Sequence, residues 1–462
     1  MPTPVETEQR MQSHRDSSRG ALDEGAASQP IGNRRAPASM PTLNIKGASG
    51  PLSRGLQMRE AILLTFCDPV PSECLQLRHL SGREWKRLLY WLDTSGLALY
   101  FLDRMVELRL CDLLPPAILA RLQQNLIDNT ERTRGMVDES IAIHLEFQSA
   151  HLSYATLRGF SLWPCSVPKP ELRSQLDLDF LVAEKSMPKA RTILERRGYR
   201  LHAISGRSWE FKANEITRVT LDDLYKTVPF RSVKLHMEAS IQGRQSLLAR
   251  AETRGLPGIG VPVLSPVDLF LGQGLHLYKH VCSEFSRTAH LIEFRRHVLA
   301  RRDDSAFWDK VQLTAAGNPR AYLGLGVVTL LISHVMGDFA PTAFTSWTID
   351  RLPFSARLWV ELYGRRCVFA SYPGSKLYLL LQRELETAGV PARRSLGRSL
   401  LPLRLPPAIM HAPATETLRE RLRRKRMELR FILFRLRFHA IEGLRYTWES
   451  LRWRQRMNRF TR

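Results

Sequence analysis

The sequence predicts an α+β protein, with a small mixed-sheet α/β unit flanked by N- and C-terminal helical domains. Three observations carry this. Apolar residues recur at helical spacing from about Leu52 to Gln148. Between Ala150 and residue 242, short β-like runs alternate with turns. Beyond Gly243 the helical pattern returns. With 462 residues, 44% hydrophobic and 24% charged, the chain is long and apolar enough for several packed units, and wholesale disorder is excluded. Its 68 Lys and Arg oppose 45 Asp and Glu, a net charge of +23. That surplus suits a nucleic acid, an anionic membrane or a phosphate-rich ligand, and does not choose among them.

The elements follow in order. Residues 1–50 mix acids, bases, Pro, Ser and Gly with no central apolar run, so a disordered leader is expected rather than a signal peptide. In the helical domain 51–150, Trp85, Leu88, Leu89 and Leu92 share a helix face, with Ser81 placed as an N-cap. Thr94-Ser95-Gly96 ends that helix, and Leu97 to Leu108 forms the next. Pro115-Pro116 opens a long helix over Ala117–Phe147, with Ile118, Leu122, Ile127, Met136, Ile141 and Leu145 as core candidates.

The α/β unit spans 151–242. Strand-like runs are Leu152–Leu157, Leu176–Val182, Arg200–Ile204, Val219–Leu221 and Ser232–Met237. A helix over Met187–Arg197 carries Pro188 in its first turn, Ser186 as cap and Gly198 as its end. The helical domain 243–401 starts a helix at Leu264-Ser265-Pro266 and continues through Ser286–Arg301. Ala321 to Gly337 has no Asp, Glu, Lys or Arg, but its 17 residues fall short of the roughly 20 a membrane span needs. A buried helix is expected there, and no transmembrane segment. Residues 402–414 read as a Pro-rich linker and 415–462 as a basic amphipathic helical tail.

The chemistry concentrates in Arg173-Ser174-Gln175-Leu176-Asp177-Leu178-Asp179-Phe180-Leu181-Val182. Strand side chains alternate with period two, so Asp177 and Asp179 share one face while Leu176, Leu178, Phe180 and Val182 face a core. Two adjacent carboxylates repel unless a cation lies between them, and oxygen ligands at this spacing suit Mg²⁺ or Mn²⁺. Divalent ions on such a pair can clamp nucleotide phosphates and activate an attacking hydroxyl. Upstream, Leu157-Arg158-Gly159 ends a strand at a glycine that lets backbone approach a phosphate.

These residues resemble the uncharacterised bacterial nucleotidyltransferase family of the polymerase-beta-like superfamily. That family carries a Leu-Lys-Gly strand end, an Arg-x-x-x-Asp-Ile-Asp-Leu-Leu-Val block and a helix ending in Gly-Tyr. A later Leu-His-Trp strand precedes a helix with histidines and a Lys-His pair. The counterparts are Leu157-Arg158-Gly159, Arg173 with Asp177 to Val182, Gly198-Tyr199, Leu235-His236-Met237 and His276-Leu277-Tyr278-Lys279-His280. The resemblance runs from about Trp85 to Pro341. It implies an enzyme in which an acceptor hydroxyl attacks the α-phosphate of a nucleoside triphosphate, with Mg²⁺ on Asp177 and Asp179. Arg158, Gly159 and Arg173 are the implied nucleotide contacts, and His236, His276, Lys279 and His280 line the cleft. A cytoplasmic protein, alone or peripheral to the inner membrane, is expected.

Two positions depart from the family. Arg158 replaces lysine, which keeps a cation with different geometry. Lys234 stands before Leu235-His236, where the family prefers an acid that helps activate the nucleophile. Glu238 shares a strand face with Lys234 and His236 and is either the missing third carboxylate or a surface residue beyond the strand end. Asp222 and Asp223 fit a turn better. If no acid serves, the alternative is a catalytically impaired binding or scaffold protein that docks on a membrane or polyanion.

The remaining residues read more plainly. Cys67, Cys74, Cys111, Cys165, Cys282 and Cys367 show no metal or redox spacing and are expected to be reduced thiols. His276 and His280 share a helix face and read first as interior histidines rather than metal ligands. Arg173 has a salt bridge to the neighbouring acidic strand as its plain reading, and Arg287 and Glu293 read as helix–helix pairing. From His411 to Arg462 there are 15 Lys and Arg against five Asp and Glu. Phe431, Phe434, Phe438, Tyr446, Trp448 and Trp453 are interleaved there. This suits an anionic membrane interface, nucleic-acid phosphates with stacked bases, or a helix packed on the core with a solvated basic face.

Overall fold

The computed structural model describes residues 54–213, 223–227, 232–238, 245–256, 258–316, 318–387, 396–400 and 417–460. The expected leader, the Pro-rich linker, Asp222 and the run Val219–Leu221 lie outside them. Helices α1 (Arg54–Leu64), α2 (Gly82–Ser95), α3 (Ala98–Glu107) and α4 (Pro116–Ser149) come first. The Ser81 hydroxyl accepts from the Glu84 N–H, and the Glu84 carboxylate accepts from the Ser81 N–H at 2.8 Å. This capping box fixes the start of α2 as the sequence implies. On α4 the expected core positions shift. Leu122 is buried, but Ile127 and Leu145 are exposed, and Ile143, His144 and Phe147 face inward instead. The helix is so long that its inward face changes partner, and one apolar stripe does not describe it.

The α/β unit is a seven-stranded mixed sheet: β1 (Tyr154–Thr156), β2 (Leu178–Val182), β3 (Arg200–Ser205), β4 (Ser208–Lys212), β5 (Ser232–Met237), β6 (Glu252–Leu256) and β7 (Ile259–Val263). The strand order is β3-β4-β5-β2-β1-β7-β6. β2 runs parallel to β5 and antiparallel to β1, and β1 runs parallel to β7. Helix α5 (Met187–Arg196) joins β2 to β3. Ser186 does not cap it; its hydroxyl accepts from the Ser153 N–H instead.

The sheet therefore extends past residue 242, because the β6–β7 hairpin joins it beside β1. Charges and Gly interrupt Glu252-Thr-Arg-Gly-Leu, and Gly and Pro stand between the alternating Ile259, Val261 and Val263, which hides the hairpin from a pattern reading.

One sheet face packs on α4 and α5. Phe147, Tyr154, Leu178, Phe180, Val182, Ile193, Leu194, Phe211, Val233 and Leu235 form that core. A fully buried side chain of this kind contributes about 2–3 kcal/mol. The opposite face is closed only beyond Asp179, where Leu181 joins Ala155, Leu162, Val167, Leu264 and Leu269.

Helices α6 (Pro266–Val281), α7 (Ala289–Ala300), α8 (Ser305–Ala315) and α9 (Pro319–Met336) follow. α9 is the expected apolar helix. Among the described residues it alone is long and apolar enough to cross a membrane, and most of it is buried against its neighbours. A Cβ on Gly274 of α6 would lie 2.3 Å from Leu325 of α9, so only glycine allows these helices to meet so closely. Shorter helical turns lead to α10 (Tyr378–Thr387), and α11 (Leu418–Phe460) ends the described fold.

Candidate functional site

The carboxylate pair sits at the start of β2. Asp179 is on the strand and Asp177 immediately precedes it. Leu178, Phe180 and Val182 are buried on the other face, as the alternation requires, while Leu176 is exposed ahead of the strand. Parallel register sets Asp179 beside Lys234 of β5, and β4 sets Glu210 on the far side of Lys234. A cross-strand row Asp179–Lys234–Glu210 results. The Lys234 ammonium donates to Asp177 Oδ2. Burial alone would lower the Lys234 pKa, but Asp177, then Asp179 and Glu210, raise it above the usual lysine value. Lys234 is therefore a fixed cation where the family prefers an acid.

Asp179 is held from two sides. His236 Nε2 lies 2.8 Å from its Oδ1, and Arg158 Nη2 lies 3.4 Å from its Oδ2. Burial would raise this carboxyl. The His236 hydrogen bond and the charges of Arg158, His236 and Lys234 outweigh it and bring the pKa down to about 2. His236, expected to line the cleft, thus touches the pair directly.

Arg158 reaches Asp179 and also donates through Nη1 to His276 Nδ1 at 2.6 Å. Gly159 has φ +75°, and a Cβ there would meet the Gln175 amide at 2.5 Å. Its missing side chain makes room for Gln175, whose Nε2 donates to the Asp177 carbonyl at 2.9 Å. The glycine shapes the approach to Asp177 through this contact.

Arg173 turns toward the interior: its Nε donates to Glu293 Oε1 of α7 at 3.0 Å, while its Nη1 donates to Gln175 Oε1 at 3.3 Å beside the Asp177 turn. Tyr100 donates to the same oxygen at 3.0 Å, and His290 Nδ1 lies 3.2 Å from Oε2. Burial would raise the Glu293 pKa, but Arg173, His290 and Tyr100 hold it well below the usual carboxylate range. The buried Asn129 of α4 donates to the carbonyls of Glu171 and Arg173 and fixes the turn that aims the guanidinium inward. Arg287, expected to pair with Glu293, donates instead to the Ser174 hydroxyl at 3.3 Å.

His276 and His280 gain a third neighbour that sequence spacing did not suggest. His290 comes from the next helix, and the three histidines bring ligating nitrogens within 4.8 Å of one another. His276 Nδ1 accepts from Arg158, so its proton sits on Nε2 and points at His280 Nε2, 3.2 Å away. His290 is turned by Glu293. These hydrogen bonds account for the cluster without an ion. Burial first, then the charges of Arg158 and Lys279 among others, hold His276 and His280 neutral, with His280 brought down to about 3. Lys279 itself is exposed on α6.

Glu238 is not brought to the pair. It follows β5 at the opposite end from Lys234, and four residues of strand separate them by about 13 Å. Its carboxylate accepts from the Ser246 hydroxyl at 2.8 and 2.9 Å and from the Leu248 N–H at 3.1 Å. It closes a loop rather than completing a site. Asp223 pairs with Lys226. The acid nearest in the sheet is Glu210, which the polar–apolar alternation of Ser208-Trp209-Glu210-Phe211-Lys212 could have signalled; it faces Lys234 and pairs with Lys212 at 3.3 Å.

Among the described residues, Asp177 and Asp179 are the carboxylates that could hold a divalent ion, and no third acid joins them. Asp177 and Asp179 can offer oxygens to an ion that arrives on a triphosphate, and the triphosphate would supply further oxygens. A second ion needs the third acid, and Lys234 repels a cation there. Arg158 and Lys234 balance the two carboxylates at the mouth of the site, so an arriving divalent ion would add the positive charge that favours a polyanion.

The family described as "Uncharacterised nucleotidyltransferase" matches residues 81–337, more than half of the chain. An antigenic nucleotidyltransferase-like protein from Paracoccidioides brasiliensis, of known structure, is similar at 13% identity over 47% of this chain and 98% of its own, with a TM-score of 0.27. No curated protein matches the sequence.

Proposed function

Since the chain belongs to the uncharacterised nucleotidyltransferase family, we propose that it binds a nucleoside triphosphate with one Mg²⁺ over Asp177 and Asp179, and that nucleotidyl transfer to a hydroxyl acceptor is slow. The observation that carries this reading is Lys234, in register with Asp179 and paired with Asp177. Arg158 and Lys234 are the cations placed to meet phosphate oxygens. His236 orients Asp179. The ion, when bound, supplies charge neutralisation between the carboxylates and the phosphates. Among the described residues, no third carboxylate touches Asp177 or Asp179 to hold a second ion or activate the nucleophile.

The test separates binding from turnover. Titration with Mg²⁺ and each common nucleoside triphosphate should give saturable binding that Asp177→Asn weakens by at least about a hundredfold. Pyrophosphate release from the same mixtures should be slow. Equal binding by wild type and Asp177→Asn would sink the assignment. Fast release by the wild type would instead restore the full transferase reading.

A further inference from the structure

Helix α11 has two unlike faces. One docks on the protein. Phe438, Tyr446 and Trp453 are buried there, Arg435 Nη2 donates to Glu284 at 3.0 Å, and Trp453 Nε1 donates to Glu384 at 2.9 Å. Glu442 accepts from the Ser375 hydroxyl and the Lys376 N–H, both at 3.1 Å. The opposite face carries Leu422, Leu429, Leu433, Leu436, Leu444 and Leu451, each between 50% and 74% exposed. At 3.6 residues per turn these six leucines fall within an arc of about 80°, and the row is about 44 Å long. Beside it run Arg423, Arg426, Arg430 and Arg437, all exposed. The helix carries 14 Lys and Arg against four Glu.

We propose that this face docks the protein on an anionic membrane surface, with the leucines among the acyl chains and the arginines at the headgroups. An exposed apolar row of this length implies a partner. Its chemistry selects lipid over nucleic acid. Three of the aromatics that could stack on bases, Phe438, Tyr446 and Trp453, are spent inside the protein. The two exposed ones, Phe434 and Trp448, have neighbours over their rings: Phe434 stacks on Tyr372, and Arg452 covers Trp448. Leucine offers bases no π-face. A second copy on the same row would bring two strongly basic helices together, which like-charge repulsion opposes. Leucine flanked by arginine is the composition of a helix lying in a headgroup interface. The contact is peripheral, because α9 is packed within the fold. The proposal is independent of the nucleotide site.

The full chain is tested by co-sedimentation with vesicles of phosphatidylcholine alone and with about one-third phosphatidylglycerol. A single-stranded RNA oligonucleotide serves as competitor. The wild type should bind the anionic vesicles and not the neutral ones. Leu433→Ser/Leu436→Ser/Leu444→Ser should weaken that binding by about tenfold or more at unchanged circular dichroism. Arg426→Gln/Arg430→Gln/Arg437→Gln should weaken it as well and remove its salt dependence, which keeps the test decisive if the leucine variant folds poorly. Leucine-variant binding equal to wild type would overturn the proposal. So would RNA binding tighter than vesicle binding, or a lipid-free dimer that the leucine substitutions dissociate.

Discussion

Arg173 and Asp177 are four residues apart in one motif, yet they belong to different parts of the protein. Arg173 turns inward, where Tyr100 and His290 surround its partner Glu293. Asp177 turns outward, and its ion pair with Lys234 leaves both side chains about a quarter to a third exposed. A buried charge pair is scaffold, because nothing can replace either partner once water is excluded. A half-exposed pair can exchange one partner for a ligand. The same motif thus builds an anchor at one end and, on the proposed function, a binding edge at the other.

That contrast can be broken experimentally. Arg173→Ala should cost about 3–5 kcal/mol of stability, read by chemical denaturation, because it strands the Glu293 carboxylate. Asp177→Asn should cost less than about 1 kcal/mol, since its pair is solvent-screened, while removing triphosphate binding. If the two losses were equal, the division into anchor and edge would be wrong. Gly159→Ala lies between them. Its positive φ and the contact with Gln175 should cost about 1–3 kcal/mol and weaken triphosphate binding by shifting the Asp177 turn.

Acid should reach two buried histidines first. Burial lowers His144 to about 4 and, with the Arg301 and Arg254 charges, His297 to about 3. Their folded pKa values lie below the unfolded value of about 6.5, so the stability they contribute is present above that pH and is lost as pH falls through it. Each should remove about 1.4 kcal/mol per pH unit in that window. The Asp179 contribution, with its pKa at about 2, should persist until roughly pH 4 and vanish below it. Thermal melts from neutral to acid pH should therefore decline in two stages, and a flat profile down to pH 5 would contradict the histidine assignment.

Much of the binding edge was legible in the sequence. Period-two alternation placed Asp177 and Asp179 opposite Leu178, Phe180 and Val182, and Lys234 and His236 on one face of β5. The scaffold was harder to read. Arg173 and Glu293 are 120 residues apart in the chain, and nothing local marks them as partners. His290 joins His276 and His280 from a separate helix, so no spacing rule reaches it. Glu238 looked plausible because it shares a face with Lys234, but a shared face does not overcome four residues of strand rise. β4 alternates Trp209 and Phe211 with Ser208, Glu210 and Lys212, a signal that could have placed Glu210; β6 carries charges and glycine, and β7 sets glycine and proline between its alternating apolar residues.

The central claim is that Lys234 limits turnover while leaving triphosphate binding in place. Lys234→Asp tests it most directly, by pyrophosphate release from nucleoside triphosphates in Mg²⁺ alongside the wild type. The account predicts a rise of about tenfold to a hundredfold in release, with a melting temperature that becomes dependent on Mg²⁺. A wild type that turns over rapidly, and a variant that is slower, would contradict it.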